Sequence, residues 1–314
     1  MTKKHFIAVF IFAVIAAVCG IGAALYKSRI ENISADGEPV FAATKAKMQY
    51  LGKIRITSAD GSEVNLYRQE GIWRLKEAKN YFANVGQLNS LLLMINDSYI
   101  LSADETSSRQ LKRRGLDAAT GLLIETYALD DTVLNRIILG KKTEKGVCYA
   151  RLPETEMTTY RISSCGVFSA DIGDWMPYPL LSLPFYLLER VKTPETELYH
   201  ADIEKKILQS ASMRRFVMTL GTVGYQGIVY KKELPPEISA KETRQIEVEL
   251  ADGLVYVLTI YHLDDAYWLE VAMKVGRIAR KEVPIFIEKN RKYIEDWAFQ
   301  LDDEQGKLLF DFKG

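Results

Sequence analysis

The chain is predicted to be an α+β protein: an N-terminal transmembrane helix, then two mostly antiparallel-sheet modules with helices packed on one face. Three observations point there. Phe6 to Tyr26 runs for 21 residues without a charge. An Asp-Gly pair flanked by alternating apolar residues occurs once in each half, at Asp60-Gly61 and Asp252-Gly253, and such pairs are the strongest short-range hairpin signal. Runs with helical spacing separate the strand-like stretches.

As a helix rising ~1.5 Å per residue, the Phe6–Tyr26 stretch is about 31 Å long, close to the roughly 30 Å of a bilayer's hydrocarbon core. It carries no charge to desolvate, and a helix satisfies its own backbone in lipid. Residues 1–5 become a cytoplasmic stub, 6–26 the anchor and 27–47 a polar tether. Lys3 and Lys4 precede the stretch while Lys27 and Arg29 follow it, so the basic-residue rule favours an inside N-terminus only slightly. Export of a long tail behind a short anchor is the commoner arrangement. A cleaved signal peptide is the rival, with Gly22-Ala23-Ala24 as a small-residue site, although the run exceeds the usual 7–15 apolar residues. Lipidation at Cys19 is rejected, because Val18 stands where a small residue is needed. Ala16, Gly20 and Ala24 line one helix face and would let a second transmembrane helix approach closely.

The first module is placed at 48–176 and the second at 177–314. In the first, Ile54 and Ile56 alternate into Asp60-Gly61, then Val64 and Leu66 lead to Glu70-Gly71 and a strand holding Trp73 and Leu75. A helix over Asn84–Asn96 presents Val85, Leu88, Leu92 and Ile95, with Asn84 as its N-cap. A second helix, Ser107–Arg114, stops at Gly115. Strands follow at Leu122–Leu129, Val133–Gly140, and around Cys148 and Cys165. A hairpin centred between Glu156 and Met157 sets Cys148 opposite Cys165, near disulfide range. The pair can bridge in an oxidising compartment or stay as two buried thiols.

Between Trp175 and Leu188, Pro177, Pro179 and Pro184 forbid a spanning helix, which leaves a buried crossover or an exposed apolar patch. In the second half, Ile246, Val248 and Leu250 enter Ala251-Asp252-Gly253, and Val255 and Val257 lead on toward Trp268. That repeats the grammar of the first module and suggests a duplicated unit. A helix near Pro284–Ile294, the strand Trp297–Leu301 and a short helix close the chain.

The 41 basic and 41 acidic residues cancel, which argues against a nucleic-acid partner. His200 could share a helix face with Glu197 and Glu204 as metal ligands, but a solvated helix explains that spacing more simply. His262 beside Asp264-Asp265 reads as a strand residue at a turn. Gly221, Gly224 and Gly227 before Lys231-Lys232 suggest a phosphate cradle, yet no helix signal follows to supply the anion-binding end. Asp302-Asp303-Glu304 reads as the charged first turn of the last helix. No nucleophile elbow, zinc motif or Walker loop is present. The expectation is a protein that is not an enzyme, with no cofactor and no metal.

The stretch from Met48 to Trp175 resembles a family of unknown function, numbered 4340 among such domains. The matching residues are Trp73-Arg74-Leu75, the leucine-rich Val85, Leu88, Leu91 and Leu92, the turn Arg114-Gly115-Leu116-Asp117, the strand end Leu139-Gly140-Lys141-Lys142-Thr143, and Tyr149-Ala150-Arg151. Trp297-Ala298-Phe299-Gln300-Leu301 is similar to the segment that often closes its members. The proline usually found after the Trp-x-Leu is missing, Asn84 stands where an Asp is typical, and Ala119 where a Pro is common. The resemblance implies an anchored protein with no known activity, often found alongside ATP-binding-cassette transport systems. The expected role is an extracytoplasmic accessory or scaffold subunit held in the cell membrane's lipid bilayer. The alternative is a module that binds envelope polymer or a solute through an aromatic pocket near Trp73, Trp268 or Trp297.

Overall fold

Alternating apolar residues from Leu51 onward build the first strands, and the computed structural model describes residues 37–143, 146–155, 157–234, 243–263 and 265–313. In chain order the first elements are α1 (Ala42–Ala46), β1 (Leu51–Thr57), β2 (Glu63–Gln69), β3 (Ile72–Leu75), β4 (Tyr81–Phe82), α2 (Val85–Asp97), β5 (Ile100–Glu105) and α3 (Ser108–Arg114). Next come β6 (Leu122–Ala128), β7 (Val133–Lys142), β8 (Cys148–Arg151), β9 (Thr158–Ile162), α4 (Ile172–Trp175), β10 (Leu188–Lys192) and β11 (Glu197–Tyr199). The chain continues through α5 (His200–Gln209), α6 (Ala211–Gly221), β12 (Gly227–Tyr230), β13 (Thr243–Leu250), β14 (Leu254–Leu263), β15 (Ala266–Val275), α7 (Glu282–Ile294), β16 (Trp297–Gln300) and α8 (Asp303–Asp311). The protein is α+β, with two antiparallel sheets and helices.

Contacts divide the chain into two units. The first takes the described residues through Gly71 with Gly86–Asp171, and the second takes Ile72–Val85 with those from Ile172 on. The sequence boundary at 176/177 therefore falls a few residues late, and the β3–β4 segment belongs with the second unit.

In the first unit seven strands run β2-β1-β6-β7-β8-β9-β5, each antiparallel to its neighbour. Ile54, Ile56, Val64, Leu66, Ile124 and Ile137 fill its interior. On α2 the buried residues are Leu88, Leu91, Met94 and Ile95, whereas Val85 is exposed, so the inward stripe is rotated from the one expected. Strand β5 was not anticipated; it pairs with β9, Ala103 opposite Tyr160.

In the second unit the order is β11-β10-β13-β14-β15-β16-β12, again antiparallel throughout. Leu258, Ile260, Leu269 and Val271 share one core cluster with Ile203 of α5, Phe216 of α6, Ile287 of α7 and Leu309 of α8. Within the proline-rich segment Trp175, Leu181 and Leu183 are buried, while Tyr178 and Tyr186 are exposed, so it is neither wholly a crossover nor wholly a patch.

No helix among the described residues is long and apolar enough to cross a membrane. The anchor Phe6–Tyr26 and its small-residue face, Ala16, Gly20 and Ala24, lie outside the described residues.

Candidate functional site

Most of the described residues singled out for chemistry have structural occupations, and Asp264 lies outside the described residues. The His200 ring opens α5, its Nδ1 lies 2.7 Å from the Leu188 carbonyl oxygen, and it stacks on Phe185 at 5.1 Å. Glu197 is on β11 rather than the helix and is held by Arg190 at 2.8 Å. The Arg190 hydrogen bond keeps the Glu197 carboxyl below the usual carboxylate range. His262 stacks on Tyr267 at 4.5 Å. Gly221 ends α6 and Gly227 opens β12, and Lys231 pairs with Glu270 at 3.0 Å instead of facing a loop. Asp302 caps α8 by accepting from the Gln305 amide at 2.9 Å, with Asp303 and Glu304 in the first turn. Among the described residues no group of His, Cys, Asp and Glu could hold a metal.

The first-unit motifs converge instead on a groove of about 240 Å³ lined by Gly115, Gly140, Lys141, Lys142, Gly166 and Phe168. Helix α3 ends at Gly115, whose φ of 70° is left-handed; glycine adopts that conformation without steric cost. Leu116 is fully buried behind it. Asp117 then folds the chain back, its carbonyl accepting from the Gly121 amide at 2.9 Å. Gly140 on β7 has no room for a side chain, since a Cβ would strike the Arg114 carbonyl and come within 2.8 Å of Leu116. Close packing of α3 on β7 thus accounts for both glycines. Arg114 lies over the Tyr149 ring at 4.8 Å and reaches Asp104 at 3.3 Å as well as Thr159.

The same end of the unit carries a disulfide between Cys148 and Cys165, with Cα atoms 5.8 Å apart. Its register differs from the expected one. Cys148 faces Ile162 across the β8–β9 ladder, and Cys165 lies three residues past the end of β9. Ser164, at φ 53°, turns the chain back toward β8.

The segment before β1 corrects a second expectation. Residues 37–47 do not form a tether. Pro39 bridges to Tyr99, Phe41 is fully buried, and α1 follows at once. Thr44 is completely buried; its amide donates to Asn135 Oδ1 at 2.9 Å, and its hydroxyl reaches Asn135 Oδ1 at 2.8 Å and the Thr126 hydroxyl at 2.6 Å. Lys45 Nζ reaches the Tyr99 hydroxyl at 2.5 Å. The chain is therefore clamped onto the first unit from residue 39 onward. Three apolar residues, Pro39 to Phe41, are too few to show a period, which is why sequence reading missed the clamp.

In the second unit, Trp297 is buried inside a ring cluster, 4.9 Å from Tyr81 and 4.0 Å from Tyr230, with Phe299 6.0 Å from Tyr81. The Tyr81 hydroxyl donates to the Tyr293 carbonyl at 2.8 Å. Trp297 is thus core rather than the wall of a pocket. Trp73 and Trp268 are half-buried on β3 and β15, and Leu75 is fully buried.

No protein-family model matches the chain, and neither curated proteins nor solved structures include a significant match. The likeness to family 4340 therefore rests on the motif residues alone.

Proposed function

We propose that this chain is a single-pass membrane protein whose β-rich units stand outside the cytoplasm as a non-catalytic accessory or scaffold subunit of a membrane complex. The partner class favoured by the motif resemblance is a transport system of the ATP-binding-cassette type. The observation that carries the reading is the Cys148–Cys165 disulfide, because such bridges persist in oxidising compartments and are rare in the cytosol. The uncharged Phe6–Tyr26 stretch supports it from the other end of the chain.

The clamp adds a distance. Only residues 27–36 separate the proposed anchor from the first described residue. At roughly 3.3–3.6 Å per extended residue they span at most about 36 Å. The first unit is then tied close to the bilayer, as suits a subunit that works against a membrane-embedded partner.

Extraction and co-isolation test this. The chain is expected to resist alkaline carbonate extraction and, after mild solubilisation and cross-linking, to come away with a permease and an ATPase. Complete release by carbonate, or a strictly solitary protein under several detergents, would overturn it.

A further inference from the structure

We propose that the β15–α7 corner of the second unit is a binding surface for anionic phospholipid headgroups. Between positions 274 and 292 stand seven basic residues (Lys274, Arg277, Arg280, Lys281, Lys289, Arg291 and Lys292) against two acidic ones, Glu282 and Glu288, in a chain whose 41 basic and 41 acidic residues cancel. All seven are exposed. Three are engaged locally, Lys274 with Glu247 at 3.7 Å, Arg291 with Glu295 at 2.9 Å and Lys292 over the Tyr293 ring at 5.2 Å.

The same corner presents aliphatic and aromatic groups to solvent. Ile278 is 90% exposed, Ile285 68%, Val275 52% and Phe286 43%. Val283 and Ile287 anchor α7 to the core. At 100° per residue, Ile285, Lys289 and Lys292 therefore fall on the opposite, outward face, continuing the line of Lys281. The connecting loop is held in place by its backbone. Gly276 N donates to the Gly253 carbonyl at 2.8 Å and Arg280 N to the Asp252 carbonyl at 2.9 Å, while the Ile278 side chain projects away.

Exposed apolar residues interspersed with Lys and Arg match the chemistry of an anionic membrane surface. The side chains enter the interface and the cations meet the headgroup charge. An acidic protein would have to supply a pocket shaped for Ile278 as well as the countercharge, whereas an anionic bilayer offers both to any surface of this kind.

Amide hydrogen exchange of the full chain tests the assignment, in lipid nanodiscs of phosphatidylcholine alone and of phosphatidylcholine with phosphatidylglycerol. Exchange over 275–292 is expected to slow in the anionic discs and to recover at high salt. Each cation near such a surface strengthens binding about fivefold, so Arg277→Ser with Arg280→Ser should weaken the protection about 30-fold. Ile278→Ser should weaken it at unchanged charge. Unaltered exchange over β13–β15 in the variants shows that their fold is intact.

The inference does not depend on Phe6–Tyr26 being an anchor. If the chain fails to insert, vesicles of the same two compositions replace the discs, and carbonate resistance reads insertion separately. Equal exchange in neutral and anionic lipid overturns the proposal. So does protection by polyglutamate without protection by anionic lipid, which would make the surface a protein-docking one.

Discussion

Thr44 joins two strands through one hydroxyl, reaching Thr126 of β6 and Asn135 of β7 from a wholly buried position. Valine has the same shape and keeps the amide bond to Asn135, so Thr44→Val isolates the hydroxyl. Buried partners left unsatisfied cost about 1–3 kcal/mol. Urea denaturation should register that loss, and limited proteolysis should cut within 38–47 earlier than in the parent; an unchanged cleavage order would argue that the clamp is held by Phe41 alone. Glu125 offers a second probe. It is buried between Arg55 and Arg136, the latter at 2.9 Å. Asp60 gives a pH test. Its carboxyl accepts from the Ser58 hydroxyl and the Ser62 amide, which lowers its pKa from 3.8 to about 2. A lowered folded value means the added stability is whole above 3.8 and drains away as pH falls toward about 2. Melting temperatures across that window should fall less steeply for Asp60→Asn than for the parent.

At the level of elements, the α3–β7 contact depends on a missing side chain. Gly140→Ala places a methyl against the Arg114 carbonyl and Leu116, and overpacking of this kind costs about 1–3 kcal/mol. Gly61→Ala is the control; it meets nothing nearby and bears only the strain of its φ of 88°, about 1 kcal/mol. Denaturation midpoints should rank the two in that order. The disulfide closes a loop with a sequence separation of 17, so Cys148→Ser should cost about 3 kcal/mol, read by the same assay. Strands with strong alternation were legible in the sequence, β1, β2, β13 and β14 among them, and so was the Gly115 stop of α3. The hairpin register was not. Pairing centred between Glu156 and Met157 assumed a symmetric turn, whereas Ala150 pairs with Tyr160, shifting the register by three and leaving Cys165 beyond the ladder. Nor was β5 legible, because its Asp104 and Glu105 break the apolar alternation and only pairing with β9 makes it a strand. Of the candidate groove, Gly115 and Gly140 were visible as separate motifs, but their meeting depends on α3 folding back onto β7, which spacing alone does not encode.

Across the whole chain, the repeated hairpin does not extend to a repeated unit. Both halves hold an Asp-Gly hairpin, with Ile56 opposite Val64 in one and Glu249 opposite Val255 in the other. Yet the other neighbour of β1 is β6, which comes later in the chain, whereas that of β13 is β10, which comes earlier. Two folds of different wiring placed behind one proposed anchor make a sidedness claim that the cysteines can decide. Cys19 lies within the uncharged stretch and Cys148 is bridged to Cys165. In intact cells a membrane-impermeant maleimide should label none of the three. After a membrane-impermeant phosphine reductant, the half-buried Cys165 should label while Cys19 stays protected by lipid. Labelling of Cys165 only after detergent lysis, with an extracytoplasmic control protein already reactive, would place both units on the cytoplasmic side and remove the oxidising compartment on which the proposed function depends.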